Sequence, residues 1–248
     1  MDIHPTAIIA HGARLGKNVN IGSNVIIGNN CIIGDNVEIQ NGCELGTYSA
    51  SHNDRPLIIG SNSLIRSQSI FYTGSTFGEN LTTGHRVTAR EGVEAGENLQ
   101  LGTLTDLQGD TTIGNFVRMH SNVHVGKGSK IGNFVWLFPY VVLTNDPHPP
   151  SEVRKGVTIE DFVAVSSMSV ILPGITVGKE TLIGASSLVS QNTNAGTLVA
   201  GNPGKEICDA SKLWLQDGTR KQAYPWRRHF HRGYPVEVVN DWKAEFEI

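Results

Sequence analysis

The 248-residue chain is 39% hydrophobic, carries 28 glycines and has a formal charge of −3 from 20 basic and 23 acidic side chains. That balance gives no general attraction to a polyanion, and no run approaches the ~20 apolar residues of a membrane span, so bulk nucleic-acid binding and a membrane-spanning helix are excluded. Cys31, Cys43 and Cys208 show no metal-ligand spacing, and no basic-then-apolar leader follows Met1, so a cytoplasmic protein without a disulfide framework is expected.

From its first residues the chain repeats with a period of six. Aliphatic residues stand at Ile3, Ile9, Leu15, Ile21, Ile27, Ile33, Ile39 and Leu45, with small or β-branched residues four places on at Ala7, Ala13, Val19, Val25, Cys31, Val37 and Cys43. After an interruption at 47–57 the pattern runs from Ile59 to Leu143, polar only at Thr83, and after a second at 144–158 it runs from Ile159 to Val189, giving 29 hexads. A helix needs apolar spacings of three and four and a lone strand alternates every two residues, so six is neither. It suits a short strand with two inward residues followed by a bend. Gly-x-Asn recurs at the bends, from Gly16-Lys17-Asn18 to Gly96-Glu97-Asn98, and both residue types tolerate left-handed backbone angles. Three strands close an 18-residue triangular coil, and coils stack by parallel pairing at ~4.8 Å, which predicts an all-β solenoid of about ten coils with two loop excursions. Residues 1–205 make up this domain, and 206–248 leave the repeat as a C-terminal cap or arm with a short helix at 211–216, halted by Asp217-Gly218.

The repeated [LIV]-G-x-x-[small]-x hexad resembles that of the hexapeptide-repeat acyltransferases. The resemblance implies a left-handed parallel β-helix, an exception to right-handed crossovers, assembled as a homotrimer with active sites between prisms. Because that family also holds carbonic anhydrases and non-catalytic members, chemistry has to be argued from the site.

Residues eighteen apart stack on neighbouring coils, and strand alternation turns the residues just before and just after each aliphatic one outward. His120 follows Met119 and His124 precedes Val125, so both face out, and Asp106 is expected one coil below His124, where it favours an imidazolium or fixes a tautomer. His85 follows the hexad of Thr83, so the three histidines are expected to gather on one region of wall. Their spacings of 35 and 4 residues do not reproduce the three-histidine zinc site of the hexapeptide-repeat carbonic anhydrases, and no metal is expected.

The succession Thr83-Gly84-His85, Arg90-Glu91, Arg118-Met119-His120-Ser121 and Val142-Leu143-Thr144-Asn145-Asp146-Pro147-His148-Pro149 is similar to N-acyltransferases acting on nucleotide-linked 3-amino-3,6-dideoxyhexoses. This resemblance implies His120, Asn145 and Asp146 at the catalytic end and His85, Arg90, Glu91, His124 and His148 around the substrate. The Asn-Asp pair would reach the sugar at a subunit interface, while Lys127 stands where those enzymes carry an acidic residue. Toward the far end Ser166 and Gly184 are eighteen apart with Ala185 beside them, a wall small enough for an extended thiol arm. Ala200-Gly201-Asn202-Pro203-Gly204-Lys205 is similar to the family's terminal Gly-Asn-Pro-Ala-Lys segment, so coenzyme A is expected against Ser166, Gly184, Ala185, Gly201, Asn202, Pro203 and Lys205. The run Phe134, Trp136, Phe138 and Tyr140 faces mostly outward, with Phe116 under Phe134, and such an apolar stripe is expected at a subunit contact.

The reading that follows is a coenzyme-A-dependent N-acyltransferase, using acetyl-CoA or another short acyl-CoA, that modifies the amino group of a nucleotide-linked amino sugar. An O-acetyltransferase for a small hydroxylated molecule or antibiotic is the alternative enzyme, and a β-helix interaction scaffold the alternative of another class. Serine acetyltransferases and pyridine-dicarboxylate succinylases are less favoured, because a repeat beginning at Ile3 leaves no room for their N-terminal domains.

Overall fold

The computed structural model describes residues 2–52 and 54–247. Each hexad forms a strand of two to four residues and a turn or connection, so that Asn20–Ile21, Ile26–Ile27 and Cys31–Ile33 lie on three successive sides of one coil. The strands build a twelve-stranded first face, a ten-stranded second face and a nine-stranded third face. Pairing between coils is parallel and in the register expected from the repeat, for example Asp106 with His124 and Leu107 with Val125. The solenoid has about 11 turns, slightly more than the hexad count implies. Past the last hexad, Thr197–Ala200 adds another rung in parallel with Leu182–Ile183.

The inward aliphatic residues form one continuous buried core from Val19 to Val199, each large side chain contributing ~1.5–3 kcal/mol. Phe71 and Phe77 meet edge to face at 5.1 Å inside it. Thr83 takes an aliphatic position without penalty because its hydroxyl accepts the Arg66 N–H at 2.8 Å. Glycine and asparagine divide the work at the turns. Asn18, Asn62, Asn80 and Asn98 adopt the left-handed conformation. The paired glycine is needed instead for close approach of coils: a Cβ on Gly60 would lie 2.4 Å from the Gly78 carbonyl carbon.

Both excursions leave the prism at the corner between the second and third faces. The first connects Glu44–Thr47 to Leu57–Ile59, the second Val142–Leu143 to Thr158–Ile159. They bracket the part of the second face that carries Arg90, Asp106 and His124.

The C-terminal segment differs from expectation. Residues 211–216 do not form a helix, since so short a stretch cannot nucleate one. A 3-10 turn at Ala210–Lys212 leads into a small antiparallel bridge between Trp214 and Gln222. The helix is Val236–Phe246, marked in the sequence by Pro235 and by Val236, Val239, Trp242 and Phe246 at helical spacing. Strand Lys205–Asp209 pairs antiparallel with Thr197–Ala200, so the chain stays in the sheet across residues 205 and 206.

The aromatic stripe is corrected in the same way. Phe116, Phe134 and Phe162 stack on successive coils at 5.0 and 4.9 Å, but Trp226, Tyr234 and Trp242 of the C-terminal segment cover this ladder together with Trp136. Phe116, Phe134 and Trp136 of the stripe are therefore a contact of the chain with itself, whereas Tyr140 at its end stays exposed. Arg227, only 4% exposed, fixes the segment by hydrogen-bonding Glu180 on the prism and Glu245 on the helix. Among the described residues no helix is long and apolar enough to cross a membrane.

Candidate active site

Outward positions of the second face place Thr88, Asp106, His124 and Val142 on consecutive rungs. His124 Nδ1 lies 3.0 Å from Asp106 Oδ2. An ionised carboxylate only accepts, so Nδ1 is the donor in this contact, and in the neutral form of the ring the lone pair is on Nε2. Gln108, two residues along the same strand and turn, donates through Nε2 to that oxygen at 2.6 Å. Burial by itself would raise the Asp106 pKa, but hydrogen bonds from His124 and Gln108 and the charges of His124 and Arg90 hold the carboxyl below its ordinary range. The result is a histidine held in one tautomer by a carboxylate that stays ionised.

Cations surround this pair. Arg90 grips the buried Glu91 carboxylate at 3.3 and 3.1 Å. Burial works against ionisation of Glu91, yet its own backbone N–H, Arg90 and the charge of Lys127 keep its pKa low. Lys127 Nζ lies 2.9 Å from Asp110 Oδ2, and His52 of the first excursion reaches Asp110 Oδ1 at 3.1 Å. Asn145, at the root of the second excursion, donates to the Lys127 carbonyl at 3.4 Å. Arg90, Gln108, His124, Lys127, Asn145 and Arg154 line a cavity of about 430 Å³. Asp146 follows Asn145 in the loop, with Oδ2 accepting the Ser151 N–H at 3.4 Å and Oδ1 buried without a hydrogen-bond partner among the described residues.

The expected gathering of histidines does not occur. The residue after one aliphatic position and the residue before the next lie on different faces, either side of a corner. His120 ends the first-face strand Arg118–Met119 and stacks on Phe138 at 4.9 Å. Burial, assisted by the Arg118 charge, lowers its pKa and keeps the ring neutral. His85 sits in the turn between the first and second faces, 2.7 Å from Ser67 Oγ. His148 is exposed at the tip of the second excursion. Arg90, Glu91, His124 and Asn145 are thus brought together, whereas His120, His85 and His148 stand apart from them.

The residues expected to line coenzyme A lie at the C-terminal end of the first face. Backbone hydrogen bonds from His120, Phe138, Ser166 and Gly184 to the next coil make His120, Phe138, Ser166, Gly184 and Ala200 a single column. A Cβ on Gly184 would come within 2.8 Å of the Ala200 Cβ, so only glycine fits that rung. Ala185 occupies the adjoining turn, and Gly201, Asn202 and Pro203 turn the chain before Lys205, which is exposed. His120 therefore belongs with this wall. Among the described residues no group of three or more His, Cys, Asp or Glu side chains could hold a metal ion.

Gln108 could have been read from the repeat, since it follows Leu107 as Asp106 precedes it. His52 and Arg154 could not, because they lie in excursions that carry no register.

Residues 12–47 match the family described as bacterial transferase hexapeptide (six repeats). The chain carries a six-residue repeat of this kind through 29 hexads. Over 92 residues this hexapeptide-repeat chain is 38% identical to a 2,3,4,5-tetrahydropyridine-2,6-dicarboxylate N-acetyltransferase of Staphylococcus aureus (strain bovine RF122 / ET3-1), a match covering 37% of the chain and 33% of the relative. The chain thus spans about a third of the length of the curated relatives it matches. Among solved structures it is similar to an Arabidopsis UDP-N-acetylglucosamine acyltransferase, with a TM-score of 0.60 at 16% identity over 83% of this chain and 73% of that one. It is also similar to a Campylobacter jejuni UDP-N-acetylglucosamine acyltransferase, with a TM-score of 0.59 at 20% identity over 99% and 83%. At these identities the likeness is one of fold, the left-handed parallel β-helix.

Proposed function

We propose that this hexapeptide-repeat protein transfers an acyl group, acetyl in the simplest case, from a coenzyme A thioester to the amino group of a nucleotide-linked amino sugar. The observation that carries this reading is the His124–Asp106 pair, whose histidine lines a cavity bordered by Arg90, Lys127 and Arg154. An amine attacks the thioester carbonyl only when neutral. His124 Nε2 accepts the proton as the C–N bond forms and returns it to sulfur as the C–S bond breaks. Asp106 and Gln108 act as positioning residues, holding the ring in place, and the cations suit an anionic acceptor. Asn145 and Asp146 orient the acceptor from the excursion. The thioester arm lies against Ser166, Gly184 and Ala185, with Gly201, Asn202, Pro203 and Lys205 at its far end.

The same three cations also suit a small amino dicarboxylate, and the Staphylococcus aureus relative is named for a dicarboxylate acceptor. A homotrimer is part of the proposal. With Phe116, Phe134 and Trp136 covered by the chain itself, support comes from the corner between the first and second faces, where Tyr140 of the stripe stands with Leu104 and Met168, these three being 57%, 47% and 65% exposed. Light scattering at micromolar concentration should report three copies, and a monomer would remove the shared-site arrangement. The activity is tested by following thiol release from acetyl-CoA with nucleotide-linked amino sugars, amino dicarboxylates and hydroxylated acceptors in parallel. Release with an amino-sugar nucleotide that His124→Ala abolishes is the expected result. Release only with a dicarboxylate or a hydroxyl acceptor overturns the sugar assignment, and no release with any acceptor overturns the enzyme reading.

A further inference from the structure

The first face carries a second cavity, of about 360 Å³, roofed by the C-terminal segment. Its floor arises from a break in an aromatic ladder. Trp136 and Phe138 stand side by side on one strand and turn, 5.9 Å apart and inclined by 21°. The coil before them occupies one face of each ring: the Arg118 guanidinium lies 4.7 Å from the Trp136 centroid, and His120 stacks on Phe138. On the coil after them the same columns hold Ala164 and Ser166. The neighbouring column shows what a complete ladder looks like, because Phe134 is followed by Phe162 with the rings parallel to within 2°. At Ala164 the corresponding rung is missing, and Trp226 and Phe230 wall the space with rings nearly perpendicular to Trp136. A planar ring of ligand would complete the ladder.

Charge indicates what that ring is attached to. A groove of about 450 Å³ shares His120, Trp136 and Arg232 with the cavity and adds Arg66 and Arg118. Among the described residues none of Arg66, Arg118 and Arg232 is paired with a carboxylate. Neither ring nitrogen of His120 has a hydrogen-bond partner among the described residues, which leaves a donor and an acceptor at the junction of cavity and groove.

We infer that the first face binds a nucleotide, its base stacked on Trp136 and Phe138 in the rung left open at Ala164 and its phosphates beside Arg66, Arg118 and Arg232. The inference deepens the proposed function, since both acyl donor and acceptor carry a nucleotide, but it is read by binding alone and stands or falls apart from turnover. The two sources share this chemistry and differ in the base and in where the phosphates attach.

The test is calorimetric titration of the full chain with adenosine 3′,5′-bisphosphate, for the donor, and with uridine and thymidine diphosphates, for the acceptor. Base–aromatic stacking makes a loss of about 10-fold or more in affinity the expected effect of blocking the rung. Ala164→Phe should block it by supplying the missing ring from the protein, with no fall in melting temperature, and Ala164→Leu provides a smaller plug should the ring not be accommodated. Arg232→Gln should weaken the same nucleotide and reduce the salt dependence of its binding. Whichever nucleotide responds identifies the source. Unchanged nucleotide affinity in the folded Ala164 variants overturns the inference, as does a wild-type protein that binds hexanoate in this cavity but no nucleotide.

Discussion

Replacing Asp106 with asparagine probes the proposed proton acceptor with the smallest change in shape. In the native protein Asp106 Oδ2 accepts from His124 Nδ1 at 3.0 Å and from Gln108 Nε2 at 2.6 Å. Both donors share that oxygen, so asparagine, with its own oxygen in the same place, still accepts from His124 and Gln108 but carries no charge. The imidazolium that forms as His124 Nε2 takes the proton from the attacking amine then loses its counter-charge. Positioned general-base catalysis is worth ~10²–10⁴-fold, and losing the counter-charge alone removes part of it, so kcat should fall by ~10-fold or more, with the acceptor KM within about threefold. The cost in stability should stay within ~1 kcal/mol, because both side chains are about a third or more exposed and solvent screens the pair. The sign of its pH dependence follows from the lowered Asp106 pKa: that contribution is complete above the ordinary aspartate value, is lost as pH falls through the folded value, and is absent from the variant. Steady-state kinetics across acceptor concentrations, with thermal melts as the control for folding, make the measurement. A kcat within twofold of wild type in a folded Asp106→Asn protein would refute the reasoning.

Joint replacement of Asn145 and Asp146 by alanine should leave melting unchanged and lower transfer by ~10²-fold, while coenzyme A affinity, measured by calorimetry, stays within about twofold; loss of coenzyme A binding instead would reverse the donor and acceptor ends. His120 has a pKa lowered by burial and by Arg118, so its neutral form adds stability that is fully present above about pH 6.5 and is lost as pH falls toward the folded value. His120→Phe should therefore flatten the fall in melting temperature between pH 7 and pH 5, and parallel curves for the two proteins would contradict this. Arg227→Ala removes the ion pairs to Glu180 and Glu245 and the guanidinium packed over Phe162 and Phe246, and because solvent screens both glutamates the cost should be ~1–2 kcal/mol. Hydrogen exchange should then quicken across Val236–Phe246 while the prism strands keep their protection, and uniform loss of protection would show that the segment supports the whole fold.

The solenoid was legible because it is written in one dimension. Every coil repeats the same inward positions, so Asp106 under His124 follows from an eighteen-residue offset alone. Phe116 under Phe134 follows in the same way. What lies around a corner is less legible: His120 and His124 are four residues apart, and only the placement of the turn assigns them to different faces. Least legible are contacts made by segments outside the repeat. Nothing in the spacing of Trp226, Tyr234 and Trp242 says that they fold back over Phe116 and Phe134, so the part of the stripe that they cover, which reads as an oligomer contact, is an internal one. His52, reaching Asp110 from the first excursion, is hidden for the same reason.

The most direct test of the central claim is a crystal structure with coenzyme A and an amino-sugar nucleotide bound together. The account predicts the sugar nitrogen within ~2.6–3.2 Å of His124 Nε2, with the thiol arm against Ser166 and Gly184. An amine bound away from the His124–Asp106 pair, in the presence of both ligands, would contradict it.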